Sequence, residues 1–154
     1  MKNAYAMTLV PESPWSRLSP STKKRLIYSL WVVTDIGLIA GLFDPAYWTW
    51  VLLFTIPHAL LFLGLVGFRP LVFPAQLRIA YVLWLAIGIY VPHMSWMMYV
   101  TTVGLSANLL YGYCPLSRLL YLLPWNREVP LDATRFVESF LTPPMPGRFR
   151  LPAE

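Results

Sequence analysis

Residues 26–68 read LIYSLWVVTDIGLIAGLFDPAYWTWVLLFTIPHALLFLGLVGF, two long apolar runs separated by a turn at Asp44-Pro45. The first run covers residues 26–43 and the second covers residues 48–68. A helix rises about 1.5 Å per residue, so each run has about the length needed to cross a bilayer core roughly 30 Å thick. Short connections join neighbouring elements, so this stretch predicts an antiparallel membrane-spanning hairpin.

The rest of the chain continues this pattern. The 154 residues are 57% hydrophobic and 12% charged, whereas soluble domains usually carry about 25% charged residues. Two further spans are predicted near residues 75–92 and 94–113. The third reaches membrane length if it begins near Ala75 and Arg78 extends its charge to the membrane surface. The sequence therefore predicts an all-α integral membrane protein with four transmembrane helices in two antiparallel hairpins.

The distribution of basic residues predicts the orientation. All 12 Lys and Arg residues lie on one side of the predicted spans: before the first span, from the end of the second to the start of the third (Arg69 and Arg78), or after the fourth. Positive-inside logic then places residues 1–25 and the tail, residues 114–154, in the cytoplasm, for a multi-pass protein of the cell inner (plasma) membrane. Because residues 1–25 contain no apolar segment of signal-peptide type, we expect the first span to act as an uncleaved anchor. The net charge of +5 collects at span ends, which favours membrane lipids over nucleic acid as partners.

Two polar side chains lie within the predicted spans. Asp35 and His58 fall at similar distances from the Asp44-Pro45 turn, so we expect a buried hydrogen-bonded pair that is either structural or a proton relay. A haem held by His58 and His93 is disfavoured, because their depths differ by about 15 Å of helical rise. The sequence predicts no cofactor, no metal site and no catalytic residue.

Two smaller features concern helix packing and the single cysteine. Gly37-x-x-x-Gly41 matches the small-residue motif that lets membrane helices approach closely, either within the chain or in a partner. Cys114 follows the last span, where it is either an ordinary reduced thiol or a palmitoylation site.

The tail predicts short helices on the cytoplasmic membrane surface. We expect an interfacial segment anchored by apolar side chains at four positions: Leu119, Leu120, Leu123 and Trp125. Asp132 is expected to cap an amphipathic helix that ends at Leu141. Its apolar face should comprise Phe136, Val137, Phe140 and Leu141, and its polar face Arg135 and Glu138.

These features leave three classes of function open. The first is a non-catalytic accessory or scaffold subunit that assembles with other integral membrane subunits in a larger complex. The second is a small oligomeric transporter or proton-coupled factor that uses Asp35 and His58. The third is a membrane enzyme or a haem- or quinone-binding subunit. The absence of a recognisable catalytic motif favours the first class.

Overall fold

The computed structural model describes residues 14–127 and 130–144. Within these ranges the secondary structure consists of seven helices joined by turns and loops: α1 (Pro14–Arg17), α2 (Pro20–Phe43), α3 (Ala46–Leu65), α4 (Phe73–Tyr90), α5 (Trp96–Tyr111), α6 (Pro115–Tyr121) and α7 (Ala133–Leu141). Three of them, α2, α3 and α4, are long enough and apolar enough to cross a membrane, which indicates a membrane protein. Helix α5 is shorter, with 16 residues.

Local sequence explains where several helices begin and end. The hydroxyl of Ser19 accepts a hydrogen bond from the Thr22 amide at 3.1 Å, and Pro20 occupies the first turn of α2. Asp132 caps α7 in the same way, accepting from the Arg135 amide at 2.8 Å. Helix α5 ends at Tyr111 and is capped by Gly112, whose φ of 74° places it in the left-handed region that glycine adopts without strain.

Other boundaries differ from the prediction. The second span was expected to reach Phe68, but α3 ends at Leu65 because Gly67 and Phe68 turn the chain with φ values of 71° and 56°. Helix α4 begins at Phe73, two residues before the predicted start. Its Pro74 lies in the first turn, where the missing N–H group removes no helical hydrogen bond.

The four long helices form a closed ring in which α2 contacts α3 and α5, and α4 contacts the same two helices. Along α2 the neighbours on α3 advance in the opposite direction: Gly41 lies against Trp48, Gly37 against Val51, and Trp31 against His58. The two helices are therefore antiparallel.

The interior of the ring is apolar. Leu38, Leu85 and Met98 are completely buried where the helices meet, and Phe62 and Val66 form a second buried cluster near the end of α3. Many apolar side chains on the outer faces of the helices are exposed, as expected for surfaces that contact lipid.

The short helices α6 and α7 close one end of the ring. Helix α6 packs against α4, and α7 packs against α6. The side-chain amide of Asn126 donates to Gln76 of α4 and to the Leu120 carbonyl, both at 2.8 Å. Since these groups are buried, the bonds fix the segment after α6 to the bundle.

Candidate functional site

A cluster of aromatic and polar side chains lies where α2, α3 and α4 meet, and we call it the Trp31 cluster. Its members are Trp31, His58, Phe62, Arg78 and Tyr81, all buried. His58 and Phe62 are four residues apart on α3, and Arg78 and Tyr81 three apart on α4, so each pair shares a helix face. Ring centroids lie 5.1 Å apart for Trp31 and His58, 4.8 Å for Trp31 and Tyr81, and 5.4 Å for His58 and Phe62.

Arg78 supplies the charge of the cluster. Its guanidinium carbon lies 3.7 Å from the ring centre of Phe62 and 5.5 Å from that of Trp31, within cation–π range. One terminal nitrogen donates to the Pro74 carbonyl at 2.7 Å. The residue is 4% exposed, so the expectation that its charge extends to the surface is wrong. The guanidinium points into the bundle instead, where it contacts the aromatic rings of the neighbouring helices.

Three polar atoms of the cluster are buried without a hydrogen-bond partner in the described part of the chain: Nε2 of His58, Nε of Arg78 and the hydroxyl oxygen of Tyr81. Such atoms are rare in folded proteins, and each typically costs about 1–3 kcal/mol. Packing alone would favour apolar side chains at these positions. The cluster is therefore a candidate site, with hydrogen-bonding capacity inside an aromatic enclosure.

The predicted hydrogen bond between Asp35 and His58 is not formed. The hydroxyl of Ser106 on α5 lies 3.1 Å from each carboxylate oxygen of Asp35 and donates to them. The register of α2 and α3 explains the difference, because His58 lies level with Trp31, one helical turn away from Asp35. Both residues are buried, as expected. They lie in separate surroundings, so the structural pair and the proton relay predicted from the sequence both lose their premise.

The glycine motif packs within the chain. A Cβ atom at Gly37 would lie 2.6 Å from a methyl carbon of Val51, and one at Gly41 would overlap the indole ring of Trp48. That indole donates a long hydrogen bond of 3.4 Å to the Leu38 carbonyl. The two glycines therefore allow α2 and α3 to approach closely, and α3 already occupies this stripe.

A buried arginine joins α7 to α6. The Arg118 guanidinium donates to the carbonyls of Ser139 and Pro143, and its central carbon lies 4.1 Å from the ring centre of Tyr113. Tyr113 in turn donates its hydroxyl to the Phe140 carbonyl at 2.9 Å. A hydrogen bond from a charged guanidinium to a carbonyl oxygen is stronger than a hydrogen bond between two neutral groups. The position of α7 is thus set by specific bonds.

The four residues predicted as interfacial anchors do not share one environment. Leu120 is buried and Leu123 half-buried, whereas Leu119 and Trp125 are exposed. Leu120 faces the protein because α6 packs on α4, so its assignment as a lipid anchor is wrong. Leu119 and Trp125 remain available for contact with lipid.

Helix α7 has the predicted amphipathic character. Arg135 and Glu138 form an ion pair at 3.3 Å on its polar side. On its apolar side Phe136, Val137 and Leu141 are exposed, Leu141 to 77%. We call these three residues the α7 apolar face.

A cavity of about 140 Å³ lies beside the Trp31 cluster, bounded mainly by α4, α5 and α6. Trp31, Tyr81 and Trp84 form aromatic walls, and Gly104 and Asn108 line the α5 side. The sequence pattern gave no indication of this cavity. It arises where three consecutive helices and Trp31 of α2 leave space between them.

Cys114 lies at the edge of the cavity, just beyond the end of α5. Its sulfur accepts a hydrogen bond from the Ser117 amide at 3.4 Å and so caps α6. Burial raises the pKa of the Cys114 thiol above its ordinary value, although the hydrogen bond from the Ser117 amide and, to a smaller extent, the nearby arginine charges oppose this. The neutral thiol is therefore favoured, which reduces nucleophilic reactivity.

The two histidines are placed in different settings. His58 is enclosed by aromatic rings within α3, and His93 is exposed in the turn between α4 and α5 with a φ of 66°. Across residues 14–127 and 130–144, no three His, Cys, Asp or Glu side chains are grouped so that they hold a metal ion.

Sequence reasoning missed most of the Trp31 cluster and the role of Arg118. A partial signal existed, because Arg78 and Arg118 are the basic residues that interrupt apolar segments. Their aromatic and carbonyl partners lie on other helices, so only the assembled structure reveals them.

Comparison of the chain with protein-family models, with curated proteins and with solved structures gave no significant match.

Proposed function

We propose that this protein is a non-catalytic accessory or scaffold subunit of a larger complex in the inner (plasma) membrane. In this proposal α5 is a fourth span beside α2, α3 and α4, and both termini are cytoplasmic. The segregation of the Lys and Arg residues, of which only Arg78 lies inside a predicted span, supports that orientation. Helices α6 and α7 then lie at the cytoplasmic end of the bundle.

The observation that carries the proposal is the α7 apolar face, which is exposed although α7 is bonded to the bundle. Arg118 and Tyr113 hold the backbone of this helix, so its orientation is determined. Val137 and Leu141 are 51% and 77% exposed. A fixed apolar surface rimmed by polar residues is typical of an interaction site.

The interior of the bundle supports this proposal over a proton-coupled transporter. Asp35 accepts from Ser106, while His58 lies one helical turn away among aromatic rings. The indole of Trp84 donates to Thr101 at 2.8 Å. These local bonds leave the two titratable groups unconnected to each other in the described chain, whereas a relay needs a continuous hydrogen-bonded path.

The test compares two positions on α7 in native membranes. A photoreactive amino acid replaces Val137 on the apolar side or Glu138 on the polar side. We expect position 137 to cross-link to one membrane protein of defined mass, and position 138 to react much less. Adducts with lipid alone at position 137 would contradict the proposal.

A matched pair of substitutions provides the second arm. Val137→Asp should shift the protein from a high-molecular-mass assembly to a smaller species in native electrophoresis with a mild detergent, because it places a charge in the proposed interface. Glu138→Gln should leave the assembly intact. Migration of the wild-type protein as a lone monomer under these conditions would overturn the assignment.

A further inference from the structure

The cavity beside the Trp31 cluster is kept open by a glycine. A Cβ atom at Gly104 would meet only Pro115 among the described residues, at 3.5 Å, which is an ordinary van der Waals distance. A longer side chain there would extend into the cavity that Gly104 lines. The space therefore depends on the absence of a side chain at this position and not on a close approach of two backbones.

The size and walls of the cavity suit a planar ring. Its volume is about 140 Å³, close to the roughly 150 Å³ of an engineered apolar cavity that binds benzene. Three of its walls are aromatic: Trp31, Tyr81 and Trp84. Aromatic rings pack favourably against one another in offset or edge-on arrangements, so these walls favour a ring over a saturated chain.

Two polar side chains of the lining, Trp84 and Thr101, are engaged in hydrogen bonds within the bundle. Trp84 donates to the Thr101 hydroxyl, and that hydroxyl donates to the Met97 carbonyl. The hydroxyl oxygen of Tyr81 is buried and has no hydrogen-bond partner in the described chain. The half-buried amide side chain of Asn108 forms no hydrogen bond with the described chain and lines the cavity. Its NH2 group can donate and its carbonyl oxygen can accept hydrogen bonds from a ligand.

The cavity is reached from the side of the bundle. Val100 and Leu119 belong to its lining and are themselves exposed on the outer surface. In a membrane such a surface contacts lipid, so an apolar molecule dissolved in the bilayer has access from there. A hydrophilic solute does not match the apolar rim.

From these observations we propose that the cavity is a binding site for a membrane-soluble molecule with a single planar ring bearing a carbonyl or hydroxyl group, of the quinone or phenol class. The ring lies between Tyr81 and Trp84, and its oxygen hydrogen-bonds to the Asn108 amide. The site is independent of the α7 apolar face, so it stands whether or not the protein joins a larger complex.

The test measures binding of a decyl-substituted benzoquinone to the purified full-length protein in detergent by quenching of tryptophan fluorescence. Gly104→Leu fills the cavity and should weaken binding at least tenfold. Asn108→Leu removes the hydrogen bond and should weaken it by about tenfold, the effect of roughly 1.4 kcal/mol. Gly64→Leu is the matched control and should bind as the wild type does, since a Cβ atom added at this position on α3 would lie in open space.

Circular dichroism and thermal unfolding establish whether each variant is folded. If Gly104→Leu does not fold, the comparison of Asn108→Leu with the wild type still tests the proposal. Equal quenching of all four proteins would mean that the quinone only partitions into the micelle, which would overturn the proposal. Decanol, which has the chain without the ring, provides the last arm. We expect it to compete at least tenfold less well than the quinone, and equal competition would assign the cavity to an alkyl chain instead.

Discussion

Glycines on two faces of the bundle have opposite surroundings. Where α2 meets α3, Gly37 and Gly41 have no room for a side chain, because Val51 and Trp48 occupy the space. On the other side of the ring, Gly104 of α5 borders a cavity of about 140 Å³. Gly37 and Gly41 allow α2 and α3 to pack closely, whereas Gly104 leaves space beside α5. A glycine in a membrane helix therefore has no single meaning, and its neighbour on the facing helix decides between close packing and open space.

The largest expected effect breaks the closed interface. In Gly41→Ala the new methyl group overlaps the indole of Trp48, and overpacking of this kind typically costs about 1–3 kcal/mol. We expect a loss near the upper end of that range in the free energy of unfolding, measured by denaturation in mixed micelles and followed by circular dichroism. Gly64→Ala is the control, because its position is open. A Gly41→Ala protein as stable as the wild type would show that α2 and α3 are less closely packed than described.

A smaller effect is expected on the side of α2 that faces α5. Ser106→Ala removes the hydroxyl that donates to the buried Asp35 carboxylate. We expect the free energy of unfolding to fall by about 2 kcal/mol, because the acceptor is left unsatisfied.

His58→Phe should change the free energy of unfolding by less than about 1 kcal/mol, since it keeps the aromatic contacts and removes a polar atom without a partner in the described chain. If the same denaturation assay shows a larger loss for His58→Phe than for Ser106→Ala, the hydrogen bond predicted between Asp35 and His58 is supported instead.

The smallest effect sharpens the comparison at the open interface. In Gly104→Ala the added methyl group has an ordinary contact with Pro115, and alanine is favoured over glycine within a helix by up to about 1 kcal/mol. We expect stability to be unchanged or to rise by less than about 1 kcal/mol in thermal unfolding. A loss as large as that of Gly41→Ala would mean that no cavity exists beside α5.

The candidate site was only partly accessible to sequence reasoning. Asp35 and His58 were predicted to be buried, and they are. Their predicted pairing rested on depth alone, whereas the partner of a helical side chain also depends on the direction in which it points around the helix axis. Rotation directs Asp35 to Ser106 on α5 and brings His58 to Trp31, a residue that no sequence motif singled out. Arg78 was misplaced for a related reason, because the rings of Phe62 and Trp31 belong to other helices.

The sequence by itself determined that the chain is helical and apolar, where α7 begins, and that Asp44-Pro45 separates two long helices. These properties depend on runs of side chains, local caps and turn residues, all of which act over a few positions. Only the tertiary structure decided which glycines are covered, which polar groups meet, how Arg118 holds α7, and where a cavity remains. Each of these depends on the rotation and depth of one helix relative to another. That geometry results from the packing of the whole ring, and no local segment of the sequence contains it.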